Sequence, residues 1–135
     1  MIDFSEINRT LFEQKSASQI ALEREAYNAL TIHYGGLLAI VCIDEQAASR
    51  CGAADSDFDS VNLIPRQLKG VEVSAVIRPK KGEAKVSLRS NTYYDVSAFA
   101  KLQGGGGHVH AAGYQFNGSV KEAAEKLIKD MDGTF

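Results

Sequence analysis

Tryptophan is absent from this 135-residue chain, and cysteine occurs only twice, as Cys42 and Cys51. Two cysteines fit a reduced cytoplasmic protein better than a disulfide-stapled secreted one. Neither sign of charge dominates. Fifteen Lys and Arg stand against seventeen Asp and Glu, a formal net charge of −2. A basic coat for duplex DNA is excluded, since such a coat needs many cationic phosphate contacts. A small basic site on a near-neutral body is not excluded. No apolar run approaches the roughly 18–20 residues that cross a bilayer, and residues 1–10 lack the basic start and apolar run of a secretion signal. Internal repeats are missing, and low complexity is confined to one glycine run. What remains is an ordinary globular balance, 44% hydrophobic and 24% charged. At this length it implies one domain that buries roughly two-thirds of its unfolded surface.

Periodicity divides the chain into helices and strands. A short leading helix, capped by Asp3 or Ser5, carries Ile7 and Leu11. A second begins at Ser16, where Gln19 three residues on completes a capping-box pattern. Its apolar face, Leu22, Ala26, Ala29, Leu30 and His33, is expected to run to Gly35-Gly36. Leu37–Ile43 is a nearly unbroken apolar run, the mark of a strand buried on both faces. Asp44 opens a short helix, residues 53–60 read as an acidic loop, and Val61–Leu68 reads as a further helix. Val71–Ile77 and Glu83–Ser90 form a hairpin through Lys80, Lys81 and Gly82. Asp95 caps a helix over Val96, Phe99 and Ala100. Ala111–Phe116 is a strand, and Ser119 with Glu122 boxes the start of a last helix. The class is α/β, with α+β as the alternative: a single mixed sheet of four or five strands flanked by helices.

Two stretches can carry chemistry. The first is Gly104-Gly105-Gly106-Gly107-His108. Four glycines cost more ordering entropy than a turn requires. They either gather amide N–H groups around an anion or give steric relief at a hinge. The run is neither a dinucleotide fingerprint, because Val109 falls where the last glycine belongs, nor a Walker loop. The second stretch is Lys85-Val86-Ser87-Leu88-Arg89-Ser90. Alternation puts Lys85, Ser87 and Arg89 on one face of a strand. An ammonium, a hydroxyl and a guanidinium there suit a phosphate or carboxylate; the other reading is a solvated strand face. His108 and His110 form an H-x-H pair, which lacks the further ligands of a metal site. Asp55-Ser56-Asp57-Phe58-Asp59 starts like a calcium loop but has Ser60 and Arg66 where Gly and Glu belong. Tyr93, Tyr94, Tyr114 and Phe116 are the aromatics available for stacking on a base, with burial expected for most.

Gly-Gly-Gly-Gly-His-Val-His-Ala-Ala-Gly at residues 104–113 resembles the G-G-G-H-x-x-A-A-G signature of the DHH-associated domain. Lys85–Ser90 resembles that family's K-V-S-x-R-S strand, in family order and spacing. The helices over Glu6–Leu30 resemble an interdomain helix and a first domain helix. Residues 1–16 are therefore expected to be a linker helix region, and residues 17–135 the domain. The resemblance extends to the short oligoribonucleases that also dephosphorylate 3′-phosphoadenosine-5′-phosphate. Single-strand exonucleases, cyclic-dinucleotide phosphodiesterases and alanyl-tRNA synthetases have relatives of this domain, and a stand-alone binding module is a further alternative. In the family, a separate Asp-His-His domain holds divalent metal, usually manganese, and the C-terminal domain grips substrate. The resemblance thus implies substrate contacts at Lys85, Ser87, Arg89, Gly105, Gly106, Gly107 and His108. Ala111, Ala112 and Gly113 pack behind them. No catalytic residue or metal ligand is implied in this chain. The implied partners are short single-stranded RNA or DNA, nucleotide phosphates, and the Asp-His-His domain of the same parent chain. His110 falls at a variable place in the signature and receives no role.

Overall fold

The computed structural model describes residues 14–135. The expected leading helix and most of the expected linker region lie outside the described residues. Ser16 caps α1 (Ala17–Ala29) by accepting the Gln19 N–H at 3.1 Å. The Gln19 side chain does not close the box; it donates instead to Ser60 at 3.2 Å. β1 (Leu30–His33) follows at once and turns at Tyr34–Gly36 into β2 (Leu38–Cys42). Asp44 caps α2 (Glu45–Cys51) through the Ala47 N–H, and Gly52 ends it in the left-handed conformation. A turn at Asp55–Asp57 leads into the single-turn α3 (Phe58–Val61). The hairpin is β3 (Val73–Lys80) and β4 (Glu83–Ser90). Asp95 then caps α4 (Val96–Leu102), β5 (Gly106–His108) and β6 (Ala111–Phe116) form a second hairpin, and α5 (Val120–Met131) closes the described chain. Its capping box is complete, with Ser119 and Glu122 bonding each other's backbone N–H.

The six strands form one mixed sheet in the order β1-β2-β3-β4-β6-β5. Only β2 and β3 run parallel, and β2 is apolar on both sides because each of its faces packs into a core, Leu38 and Ile40 on one and Val41 on the other. On one face, Ile40, Ile77, Val86, Leu88 and Tyr114 pack with Val96 and Phe99 of α4 and with Leu127 and Met131 of α5. On the other, Val41, Ile43 and Val76 pack with Leu22 and Ala26 of α1, Ala47 of α2, and Phe58 and Val61 of α3.

The single mixed α/β sheet is as expected, its six strands among the described residues slightly above the expected four or five. Two segments depart from the sequence reading. Leu30–His33 is a strand and not the end of a helix, because it pairs with β2 from Leu30↔Val41 to His33↔Leu38. Val61–Leu68 is not a continuous helix. Pro65 sits there, lacking a backbone N–H, and the segment breaks into the end of α3 and a separate turn at Pro65–Gln67.

Glu72 ties these parts together. It is a nearly wholly buried carboxylate just before β3. It accepts the backbone N–H groups of Thr92, Tyr93 and Tyr94 at 3.1, 2.9 and 2.9 Å, and the Thr92 hydroxyl. Asn91 reinforces the join, its side chain donating to Val71 O at 2.7 Å. The exit of β4 is thereby fixed to the entrance of β3, and the start of α4 with it.

Candidate functional site

The strand alternation of β4 sorts its side chains cleanly. Ala84, Val86, Leu88 and Ser90 are buried, while Lys85, Ser87 and Arg89 are half-buried on the opposite face. That opposite face is the one α1, α2 and α3 cover over β2 and β3. Among the described residues no helix packs over its β4-β6-β5 half, because α4 and α5 lie on the other side.

Residues directly paired across antiparallel strands project to the same face. Arg89 pairs with Ala111, and Ala111 with His108. Ser87 pairs with Gly113, and Gly113 with Gly106. Lys85 pairs with Gln115. Two rows therefore cross the bare half-sheet, each with a small or missing side chain at its centre. Arg89 and His108 flank that floor two strands apart, roughly 10 Å at the usual spacing. Toward the Lys85 end lies an open recess of about 450 Å³, lined by Lys85, Gly104, Gly105, Gly106, Gly113 and their neighbours Tyr114 and Gln115. Among the described residues Lys85 is the one charged side chain lining it, and Arg89 lies farther along the same face of β4.

The glycine run divides by task. The Gly104 and Gly105 N–H groups close the end of α4, donating to Lys101 O and Ala100 O at 3.1 and 2.8 Å. A Cβ at Gly105 would lie 2.2 Å from Gly113 O, and one at Gly107 would lie 2.6 Å from Ala111 O. Both glycines let β5 approach β6 too closely for any side chain. Gly106 is different: a Cβ there meets nothing within 4 Å, so its bareness keeps the floor open.

The two histidines separate. His108 ends β5 in line with Ala111 and Arg89, and it is exposed. His110 sits in the turn before β6, where its Nδ1 and the buried Ser90 hydroxyl lie 2.9 Å apart. The turn is pinned from both sides, Val109 O accepting from Val96 N and His110 O from Ser90 N. H-x-H is thus one strand-end histidine and one turn anchor. Among the described residues no three His, Cys, Asp or Glu side chains gather as metal ligands. Cys42 is a poor nucleophile, since burial and then the nearby Asp44 push its thiol up to about 11. Of the candidate stacking aromatics, Tyr94 and Tyr114 are core residues, Phe116 packs against the core, and Tyr93 is 59% exposed. Arg78, which the sequence reading passed over, also belongs near the recess, because β3 runs past Ile77 and places it opposite Lys85.

A mixed-sheet domain with one half of one face left bare between a cationic strand and a glycine hairpin defines a small α/β domain built around an open shelf. Residues 47–135 match the DHHA1 domain, and the chain belongs to that family. It is 34% identical over 113 residues to the bifunctional oligoribonuclease and PAP phosphatase NrnA of Thermus thermophilus, covering 83% of this chain and 33% of that protein. The chain therefore spans about a third of that relative's length. Among solved structures, an exopolyphosphatase-related protein from Bacteroides fragilis superposes with a TM-score of 0.82 at 22% identity, over 96% of this chain and 39% of that one. PggH, a pGpG-specific phosphodiesterase from Vibrio cholerae, superposes with a TM-score of 0.56 at 14% identity, over 85% and 39%. These two likenesses concern the fold. No helix among the described residues is long and apolar enough to cross a membrane.

Proposed function

We propose that this chain is the substrate-gripping domain of a DHH-family phosphoesterase acting on short oligonucleotides, on 3′-phosphoadenosine-5′-phosphate, or on both. One observation carries the reading: Lys85, Ser87 and Arg89 share the uncovered half-sheet with His108, across a floor of Ala111, Gly113 and Gly106. The Arg89 guanidinium on one side and the His108 imidazole on the other suit a nucleotide's phosphate end, with the Lys85 ammonium farther along the same strand, and the bare floor accommodates the sugar-phosphate backbone. The 34% identity to a bifunctional oligoribonuclease and PAP phosphatase favours that substrate class. Hydrolysis of a phosphoester at neutral pH calls for an activated water, which a bound divalent metal supplies. In this proposal that metal, manganese as the family resemblance implies, sits on a separate Asp-His-His domain facing the shelf. This chain's residues bind the phosphate and hold it in place for attack.

Arg89 is the decisive side chain. Arg89→Ala removes a charge-assisted hydrogen bond, worth roughly 1.5–3 kcal/mol, and weakens binding of a 5′-phosphorylated dinucleotide accordingly. Arg89→Lys regains only part, because the two-pronged geometry is lost. Titration followed by amide chemical shifts tests this, with shifts expected at residues 85–89 and 106–113. Unchanged affinity in Arg89→Ala removes this strand from the site.

A further inference from the structure

Beside the shelf, toward α3, lies a second polar cavity of about 300 Å³. Arg78, Lys80, Lys85 and Ser87 line it from the sheet, and Asp55 and Phe58 from the opposite wall. Arg78 is the central group. Its guanidinium carbon lies 3.9 Å from the centre of the Phe58 ring, so cation–π stacking holds the fork flat. One terminal nitrogen bonds Asp55. Its Nε is buried and is the one such side-chain nitrogen or oxygen without a partner among the described residues. A buried donor left unpaired is costly and calls for an explanation.

Asp55 is the unusual partner. The Arg78 side chain is only 11% exposed, whereas that of Asp55 is 73% exposed. The hydrogen bond from Arg78 holds the Asp55 carboxyl below its usual range, helped by the charges of Arg78, Lys80 and Lys85. Three cations from two strands thus converge on one solvent-facing carboxylate. With Asp55 facing solvent, that side of the pair is open to exchange, while the largely buried Arg78 guanidinium, already stacked, loses little freedom on meeting a new anion.

We propose that this cavity is a second phosphate subsite, in which Asp55 is an internal stand-in that a backbone phosphate of a longer single strand displaces from Arg78. The subsite rests on the proposal that Arg89 grips the first phosphate. Lys85 lies four residues from Arg89, roughly 13 Å along an extended strand, so one phosphate cannot satisfy both ends. A mononucleotide uses the Arg89 end alone, whereas a trinucleotide reaches both. The cavity then sets a preference for substrate length.

The test compares a mononucleotide 5′-phosphate with a 5′-phosphorylated trinucleotide, titrated into the chain and followed by amide shifts. Lys80→Gln and Arg78→Gln are expected to weaken the trinucleotide roughly three- to ten-fold, the scale of one partly exposed charge pair, and to leave the mononucleotide within about two-fold. Asp55→Asn, which frees Arg78, is expected to strengthen the trinucleotide by a similar factor. Shifts at residues 55–58 should appear with the trinucleotide only. Arg78→Gln also loses its stacking on Phe58, so Lys80→Gln and Asp55→Asn, at the cavity mouth, decide the matter. Trinucleotide affinity unchanged in both overturns the subsite, even where Arg89→Ala weakens both ligands and so upholds the first grip. Sensitivity to Asp55→Asn and Lys80→Gln with Arg89→Ala silent supports the cavity as an anion site and sinks the Arg89 reading instead.

Discussion

Gly106 and Gly107 are neighbours in β5 with opposite reasons for being glycine. At Gly107, φ is +147° and a Cβ would sit 2.6 Å from Ala111 O and from Ala112 Cα. Gly107→Ala must push β5 away from β6, and the expected result is a lowered thermal midpoint with a disturbed hairpin. At Gly106 the space is open and φ is unexceptional, so Gly106→Ala should leave the melting curve within the small range of a surface change, about 0.5 kcal/mol. Its methyl nevertheless rises from the floor between Ser87 and the edge. Loss of phosphorylated-dinucleotide binding without loss of stability in Gly106→Ala would identify the floor as contact surface; undiminished binding would mean that ligand lies elsewhere. The histidines divide in the same manner. His108→Ala is expected to weaken phosphate binding at unchanged stability. His110→Ala should spare binding but loosen the turn by roughly 0.5–1.5 kcal/mol, the worth of one hydrogen bond, here the contact with Ser90. Parallel melts and titrations of the two variants check this, and equal binding losses would contradict it.

At the scale of elements, β4 was legible to the residue, since Glu83–Ser90 alternates without interruption and its buried and half-buried sets follow that alternation. The capped helices at Asp44, Asp95 and Ser119 were legible for the same reason, each from a local chemical signal. β1 was not. Leu22, Ala26, Ala29, Leu30 and His33 fit a helical stripe, and only the pairing with β2 reveals that the chain straightens at Leu30. The β-branched pair Thr31-Ile32 was the available hint. β5 carries almost no side chains to show a pattern, so its strand state comes from β6 alone. Arg78 lies one residue beyond Ile77, where the apolar run stops, and the strand continues through it, opposite Lys85. The Glu72 join is equally invisible in sequence, being a tertiary partnership between a carboxylate and three consecutive amides twenty residues away. Burial raises the Glu72 carboxyl's affinity for a proton, but the hydrogen bonds from Thr92, Tyr94 and Tyr93 outweigh it and hold the group below the ordinary range. A carboxyl depressed on folding stabilises fully above its unfolded value, near ~4.3, and that contribution drains away as pH falls through the folded value. Denaturant melts from neutrality to pH 3 should show this loss, and Glu72→Gln should flatten that part of the profile. At neutral pH Glu72→Ala strands buried N–H donors, costing roughly 1–3 kcal/mol. A pH profile identical in Glu72→Gln and the wild type would remove Glu72 from acid stability.

For the whole molecule, the division of helices between the two faces is the organising fact. Among the described residues, α4 and α5 seal one side, while α1, α2 and α3 cover β2 and β3 on the other and leave most of β4, β6 and β5 bare. Under the proposed function, a half-sheet that grips phosphate but offers no gathered metal ligands among the described residues is expected to hydrolyse nothing by itself. Purified chain with manganese should leave short RNA and 3′-phosphoadenosine-5′-phosphate intact, and turnover that follows the chain through repurification would defeat the proposal of a gripping domain. The bare half-sheet also sets a tempo. With no lid over it among the described residues, a ligand held at millimolar strength and arriving at about 10⁶ M⁻¹ s⁻¹ departs in about a millisecond. In the proposed parent protein a tethered second domain would lengthen that stay through its effective concentration alone, and each shorter product of the proposed cleavage would lose its hold on one end. Such a surface lets go quickly by construction, which under the proposed function suits repeated trimming of short strands better than storage of any one of them.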